Sequence, residues 1–317
     1  MPDRFTQAHI DAWRRDGAVL IPNFFTAAEV AAVQADYRSV FDKAGAEAAM
    51  VKKKEGEIGK FNPAQFASIQ VLPLDCSPAL NLVGVHPALI DFARRAMACD
   101  DVQVYQCQAW AKFTGDADYD QPFHCDYVNH TLTGPSDVPR HNSVTFICLF
   151  SDVTEAHGPT HYVTRPDAEA AGAPPEVTLT GAPGLQAALT EHERSAAGPA
   201  GSLFAYGIDI WHRGTNLTAP GGHRYVMTTC FKDAANNSIA FTAWQFHHTK
   251  PWRNIIEHGT PEQLACFGVQ KPGDPYWTEL TLARAQVRYP GWDLTPWREA
   301  MERNGASEAR AELQVQP

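Results

Sequence analysis

Gly201-Ser202-Leu203-Phe204-Ala205-Tyr206-Gly207-Ile208-Asp209-Ile210-Trp211-His212-Arg213-Gly214 is the stretch whose reading decides the fold. Its first half is a β-prone run opened by glycine, and its second half sets His212 beside Gly214 and Asn216, residues of a tight turn. The β-prone run Tyr225 to Phe231 follows, preceded by Arg224. It is expected to return antiparallel beside the first run and to carry the Arg224 cation into the same cavity.

Working outward, Val102 to Trp110, Ser143 to Phe150, Pro159 to Val163 and Phe241 to Phe246 are further strand candidates between Gly, Pro, Asn and Asp turns. The Val102 run mixes Gln103, Gln106 and Gln108 with apolar residues, as a strand lining a wet cavity would. Helices are expected over Phe5 to Asp16, from Thr26, where Glu29 completes a capping box, and over Pro87 to Ala98. Later helices are expected after Thr260-Pro261-Glu262-Gln263, over Trp277 to Val287 and over Pro296 to Glu302. Many short strands following a helical opening predict a mainly β fold with flanking helices.

No linker divides the 317 residues, so residues 1–317 are expected to form a single domain. It has an N-terminal helical region at 5–98, a β core at about 100–248 and a C-terminal helical extension at 260–304. The segment 165–199 reads as an insertion or lid. Met50 to Lys60 reads as an exposed excursion, and Gly305 to Pro317 as a fraying end.

The net charge of -10 is not gathered into blocks, which gives no footprint for nucleic acid or an anionic membrane. Seven scattered cysteines, an odd number without close pairs, argue against a disulfide framework and for a reducing compartment. No apolar stretch approaches a membrane span, and Met1-Pro2-Asp3-Arg4 does not open a secretory leader. A cytoplasmic protein is expected.

Upstream stands His124-Cys125-Asp126. Side chains separated by one residue on an extended chain share a face, so His124 and Asp126 can reach one metal together. A bare His-x-Asp is common; the remote His212 gives it weight. Two histidines and a carboxylate form the facial set that suits a non-haem Fe(II) site with open positions. A buried Arg224 needs an anion, and the carboxylate of a 2-oxo acid is its natural match. His157 and His161 stand four apart, but Pro159 between them argues against a helical zinc pair, and His247-His248 reads as structural. There is no phosphate-binding glycine loop and no nucleophile elbow around Ser143 or Ser202.

Taken with Glu155-Ala156-His157-Gly158-Pro159-Thr160-His161-Tyr162-Val163, these motifs resemble the phytanoyl-CoA dioxygenase-like Fe(II)/2-oxoglutarate-dependent oxygenases over roughly Ala18 to Phe246. His157 replaces an asparagine usual in that family, and Thr164-Arg165-Pro166 replaces its Pro-Gly-Ser-type turn. The resemblance implies a double-stranded β-helix, the cupin-like jelly roll, with iron held by His124, Asp126 and His212. It also implies that Arg224 anchors the distal carboxylate of 2-oxoglutarate. One extra residue in Thr218 to Gly222 then lies between His212 and that arginine, and Arg213 is the competitor.

By the same analogy Gln108 and Lys112 are expected to contact the co-substrate, while Tyr127, Asn129, His130, Trp211 and Trp244 are expected to touch the substrate. Related halogenating enzymes carry Gly or Ala where this chain has Asp126, so hydroxylation of a small organic molecule by dioxygen, with release of succinate and carbon dioxide, is the expected reaction. The alternative is a small-molecule binding protein or an oxygen-independent metal isomerase on the same jelly roll.

Overall fold

The computed structural model describes residues 4–48, 66, 68–115, 119–131, 136, 138–173, 180–181, 183–239 and 250–304. Nine strands are described: β1 (Ala18–Ile21), β2 (Ile69–Val71), β3 (Val102–Phe113), β4 (Ser143–Leu149), β5 (Thr160–Tyr162), β6 (Arg194–Ser195), β7 (Leu203–Gly207), β8 (His212–Gly214) and β9 (His223–Asp233). Helices are α1 (Gln7–Asp16), α2 (Ala27–Ala48), α3 (Pro78–Val83), α4 (Pro87–Met97), α5 (Tyr127–His130), α6 (Arg165–Ala170), α7 (Pro183–Thr190), α8 (Arg253–Ile256), α9 (Pro261–Ala265) and α10 (Glu279–Arg288).

The strands form a six-stranded sheet in the order β1-β7-β4-β9-β3-β2 and a three-stranded sheet in the order β6-β5-β8, antiparallel throughout. An isolated bridge between His124 and His212 adds a further extended segment beside β8. From β3 onward the chain passes repeatedly from one sheet to the other, which is the winding of a double-stranded β-helix. The jelly-roll expectation is met.

That winding corrects one expectation. Strands β7 and β9 are not neighbours; β4 lies between them and pairs with both. The reason is that β8 crosses to the small sheet between them, so the return strand enters the large sheet one place further on. Strand β1, on the short extended piece expected at Ala18 to Pro22, and β2, also within 5–98, extend the large sheet at its two ends, and β6 is a core strand lodged within the segment read as an insertion. The expected strand Phe241 to Phe246, the Met50 to Lys60 excursion and the end Gly305 to Pro317 lie outside the described residues.

Alternation along the strands sorts side chains between two compartments. Cys107, Ala109 and Ala111 of β3 and Tyr225, Met227 and Phe231 of β9 enter a core covered by helices. Helix α4 supplies Leu89, Ile90, Phe92, Ala93, Ala96 and Met97 to it, all buried, and Phe92 meets Phe146 of β4 edge-on at 5.1 to 5.5 Å spacings typical of this cluster, the Phe92–Phe146 centroids being 5.5 Å apart and Phe5–Phe92 5.1 Å. Pro87 at the first turn and the His86 side chain, which accepts from Ala88 N, start that helix. Gly17 ends α1 at φ 79°, and a Cβ there would lie 2.2 Å from Ile210 Cδ1, so this turn requires glycine.

The opposite faces of β3 and β9 look between the two sheets. The β3–β9 register breaks between Val104 and Gln106, and this bulge leaves Tyr105 outside the ladder. Tyr105 therefore joins the second cluster, with Tyr127 and Trp211, while its neighbour Val104 stays in the first. No helix among the described residues is long and apolar enough to cross a membrane.

Candidate metal centre

The extended segment before Asp126 is zipped onto β8. Gln121 N donates to Gly214 O at 2.9 Å, and His124 and His212 exchange backbone hydrogen bonds of 3.0 Å in both directions. Their rings consequently sit side by side, with centroids 4.3 Å apart. Asp126, two residues on, presents Oδ1 3.6 Å from His212 Nε2 and 4.0 Å from His124 Nε2. All three ligand atoms lie within 4.8 Å of one another. Ligands about 2.0–2.2 Å from one metal would be ~3 Å apart, so a small closure completes the set.

Each imidazole is oriented by its other nitrogen. His124 Nδ1 lies 3.0 Å from Pro122 O and His212 Nδ1 2.9 Å from Ile210 O. Donation to these carbonyls places the proton on Nδ1 and leaves both Nε2 lone pairs facing Asp126. Burial, with His212 as a lesser cause, pushes His124 down to about 4, so its ring is neutral at neutral pH. Burial alone would raise Asp126, but His212, His130, His124 and a hydrogen bond from Tyr206 more than offset it, and the carboxyl stays ionised. Two imidazoles and one carboxylate are the donor set of an octahedral divalent cation with open positions. The residues fit Fe(II).

The loop that delivers His212 is clamped from outside. Arg165, at the start of α6, holds Asp209 through Nε at 2.6 Å and Nη2 at 2.8 Å, while Asn142 Nδ2 donates to the same carboxylate at 3.1 Å. Arg165 Nη1 also reaches the carbonyls of Trp13 and Arg14, tying the loop to α1.

Further along the same interior lie Lys112 and Arg224, cross-strand partners and both buried. Lys112 Nζ donates to Thr215 O at 3.2 Å, and Arg224 Nη1 donates to Gly158 O. Gly158 has φ 67°, and a Cβ there would lie 2.5 Å from Thr215 O, so glycine lets these two carbonyl-bearing turns close together. The Arg224 guanidinium lies 5.1 Å from the Trp110 ring, yet its buried Nε has no hydrogen-bond partner and no carboxylate among the described residues pairs with it. Burial pushes Arg224 down to about 10, which leaves it a cation. Trp110, Ile147, Leu149, Phe204 and Thr228 line the small cavity beside it. An orphaned buried guanidinium in an apolar slot fits a carboxylate.

Gln108 is half-buried opposite Thr228, on the same side of the sheet as Lys112. Arg213 is aimed elsewhere: it is bound by Glu193 at 2.9 and 3.2 Å, as expected for the residue next to His212 on a strand. His161 lies between Glu155 and Glu193, and His157 caps the turn begun by Thr154, so neither joins the centre.

Among the expected substrate contacts, His130 is half-buried, with Nδ1 3.1 Å from Tyr105 Oη, and is close enough to act on the charge of Asp126. Asn129 is exposed. Tyr127 and Trp211 differ from expectation. Both are at most 2% exposed within a cluster that includes Phe123, Val163 and Leu189, and Trp211 Nε1 donates to Ala173 O at 2.9 Å. Alternation against His212 turns Trp211 into packing. Trp244 lies outside the described residues.

Sequence reading missed Tyr206, and left open which of Gln103, Tyr105, Gln106, Gln108 and Lys112 face inward. Tyr206 Oη donates to Asp126 Oδ2 at 3.0 Å and lies 3.4 Å from His212 Nε2; Tyr105 Oη donates to Ser143 Oγ at 3.1 Å. The spacing of Phe204 and Tyr206, two apart on β7, carried a signal for Tyr206, since alternate residues of a strand share a face; the slip between Val104 and Gln106 decides that Tyr105 faces inward.

The family model described as phytanoyl-CoA dioxygenase (PhyH) matches residues 13–224. No curated protein matches the sequence. Similar solved structures include the non-haem α-ketoglutarate-dependent carbocyclase SnoK from nogalamycin biosynthesis, at 16% identity and TM-score 0.53 over 77% of this chain and 90% of that one. AviO1 from Streptomyces viridochromogenes Tue57 gives 14% identity and TM-score 0.53 over 74% and 98%. EctD from S. alaskensis in its apoform gives 18% and 0.50 over 79% and 84%. At these identities the likeness is one of fold.

Proposed function

Because the chain belongs to the phytanoyl-CoA dioxygenase family, we propose that it is an Fe(II)/2-oxoglutarate-dependent dioxygenase that hydroxylates a small organic molecule. The observation that carries this reading is the placement, in one interior, of a two-His, one-Asp donor set and an unpaired buried arginine. His124, Asp126 and His212 would hold the iron, and Arg224, with Lys112 and Gln108, the co-substrate. When bound, iron with 2-oxoglutarate and dioxygen supplies the oxidising power, releasing succinate and carbon dioxide.

The chain's own part is positioning and exclusion. The two backbone carbonyls fix the imidazoles, and Asp126 brings the single negative charge. Arg224 would meet the far carboxylate of the 2-oxo acid. Trp110, Ile147 and Phe204, which line the cavity beside it, would keep water from that ion pair and so strengthen it. His130 and Asn129 form the side open to a substrate. The Asp126 carboxylate fills the place a halide would need, which favours oxygen transfer over halogenation. We read residues 1–317 as one domain, and the odd number of seven scattered cysteines supports a reducing, cytoplasmic setting.

Anaerobic titration tests the reading: 2-oxoglutarate should give a visible absorption band only when Fe(II) is present. Absence of that complex in folded protein overturns the proposal. Oxygen uptake and succinate release over a metabolite panel then identify substrates and separate hydroxylation from other oxidations.

A further inference from the structure

Two carboxylate oxygens of Asp126 have different neighbours. Oδ1 faces the two Nε2 atoms, at 3.6 and 4.0 Å, and Oδ2 accepts the Tyr206 hydroxyl at 3.0 Å. Tyr206 is 3% exposed, stacked on Phe204 at 5.3 Å and 22°, and fixed in mid-sheet between Ala18 of β1 and Thr145 of β4. Its ring centroid is also 4.6 Å from that of His212. A phenol has one proton to give. The carboxylate is the stronger acceptor, so His212 Nε2 keeps its lone pair for the metal.

We propose that Tyr206 is a positioning residue that restricts Asp126 to a single ligating oxygen by occupying the other. This rests on the metal site read above. A carboxylate free at both oxygens can bind a divalent metal through both, and that would take one of the positions needed by the co-substrate and dioxygen. The hydroxyl acts through Asp126, without needing contact with either reactant. It also gives the carboxylate a hydrogen-bonding partner inside the protein, the kind of outer support that sets ligand orientation.

Tyr206→Phe removes the hydroxyl and keeps the stacked ring. Co(II) serves as a probe independent of turnover, because its visible bands report coordination number. Wild-type protein should bind Co(II) and, on adding 2-oxoglutarate, retain a six-coordinate spectrum with an exchangeable position. The variant should bind Co(II) about tenfold differently, show altered visible bands, and bind 2-oxoglutarate less tightly, with an unchanged circular dichroism spectrum. Identical bands and affinities in the two proteins overturn the assignment of Tyr206 while leaving the metal site intact. If wild-type protein binds neither Co(II) nor Fe(II), the metal site itself fails. Should Tyr206→Phe not fold, a crystal structure of the wild-type protein with Co(II) decides: Asp126 bound through Oδ1 alone with Oδ2 on the Tyr206 hydroxyl supports the proposal, and Asp126 bound through both oxygens overturns it.

Discussion

Lys112 and Arg224 stand directly opposite each other on the β3–β9 ladder, each 4% exposed. Like charges so placed destabilise a sheet, and burying a cation is costly unless an anion answers it. Arg224, with no carboxylate partner among the described residues and a buried Nε without a hydrogen bond, is therefore arranged for a bound anion. Arg224→Met should weaken 2-oxoglutarate binding roughly 100-fold, the loss of a charge-assisted bidentate contact, while Fe(II) affinity stays put. Without co-substrate, the variant should melt no lower than wild type, since an orphaned buried charge has gone. A saturating co-substrate at 100 times its Kd should stabilise wild type by about 2.7 kcal/mol and the variant far less, which thermal shift measures.

The Arg165–Asp209 clamp makes a prediction about stability and pH. Asp209 is 9% exposed; burial would raise its pKa, but the Arg165 guanidinium and the Asn142 amide hold it below 3.8. Its contribution is thus fully present above about pH 4 and lost as pH falls through the lower folded value. Arg165→Ala strands the carboxylate and should cost roughly 3–5 kcal/mol near pH 7. In that variant burial acts with less opposition, so the gap to wild type should narrow as the medium is acidified. Urea unfolding at several pH values checks the slope, and a gap that does not depend on pH would refute the account.

Trp211 offers a test of packing against substrate contact. Its indole N–H bonds Ala173 O inside the cluster beneath α6 and α7. Trp211→Phe should lose about 1 kcal/mol of stability and leave both metal affinity and 2-oxoglutarate affinity unchanged. Equilibrium dialysis with Fe(II), run beside chemical unfolding, separates the two effects. Weaker metal binding at unchanged stability would return Trp211 to the site.

The ligands were legible because their signal is local. His124 and Asp126 are two apart on extended chain, which puts them on one face, and His212, far off in sequence, was joined to them by the family motif it stands in. Arg224 was legible as a charge inside a β-prone run. What stayed hidden depends on tertiary arrangement. Strand β6 is only Arg194–Ser195 and acquires its identity from β5, and which of Gln103, Tyr105, Gln106, Gln108 and Lys112 face inward is decided by the slip of the ladder beside Tyr105. Trp211 was misplaced by adjacency: closeness to His212 in sequence means the opposite face in a strand.

Asp126→Ala gives the sharpest test of the centre. It leaves the two imidazoles without a carboxylate, and it takes the acceptor from the buried Tyr206 hydroxyl. Fe(II) affinity should fall, and succinate formation coupled to product should drop at least ~1000-fold while circular dichroism shows the fold retained. The vacated space lies between the Nε2 atoms and the Tyr206 hydroxyl, a donor suited to an anion. Chloride should therefore strengthen metal binding by the Asp126→Ala protein and leave wild type unaffected, because in wild type the carboxylate already holds that place. Wild-type coupled turnover in the variant would remove Asp126 from the ligand set; a chloride effect of equal size in both proteins would mean that halide binds elsewhere.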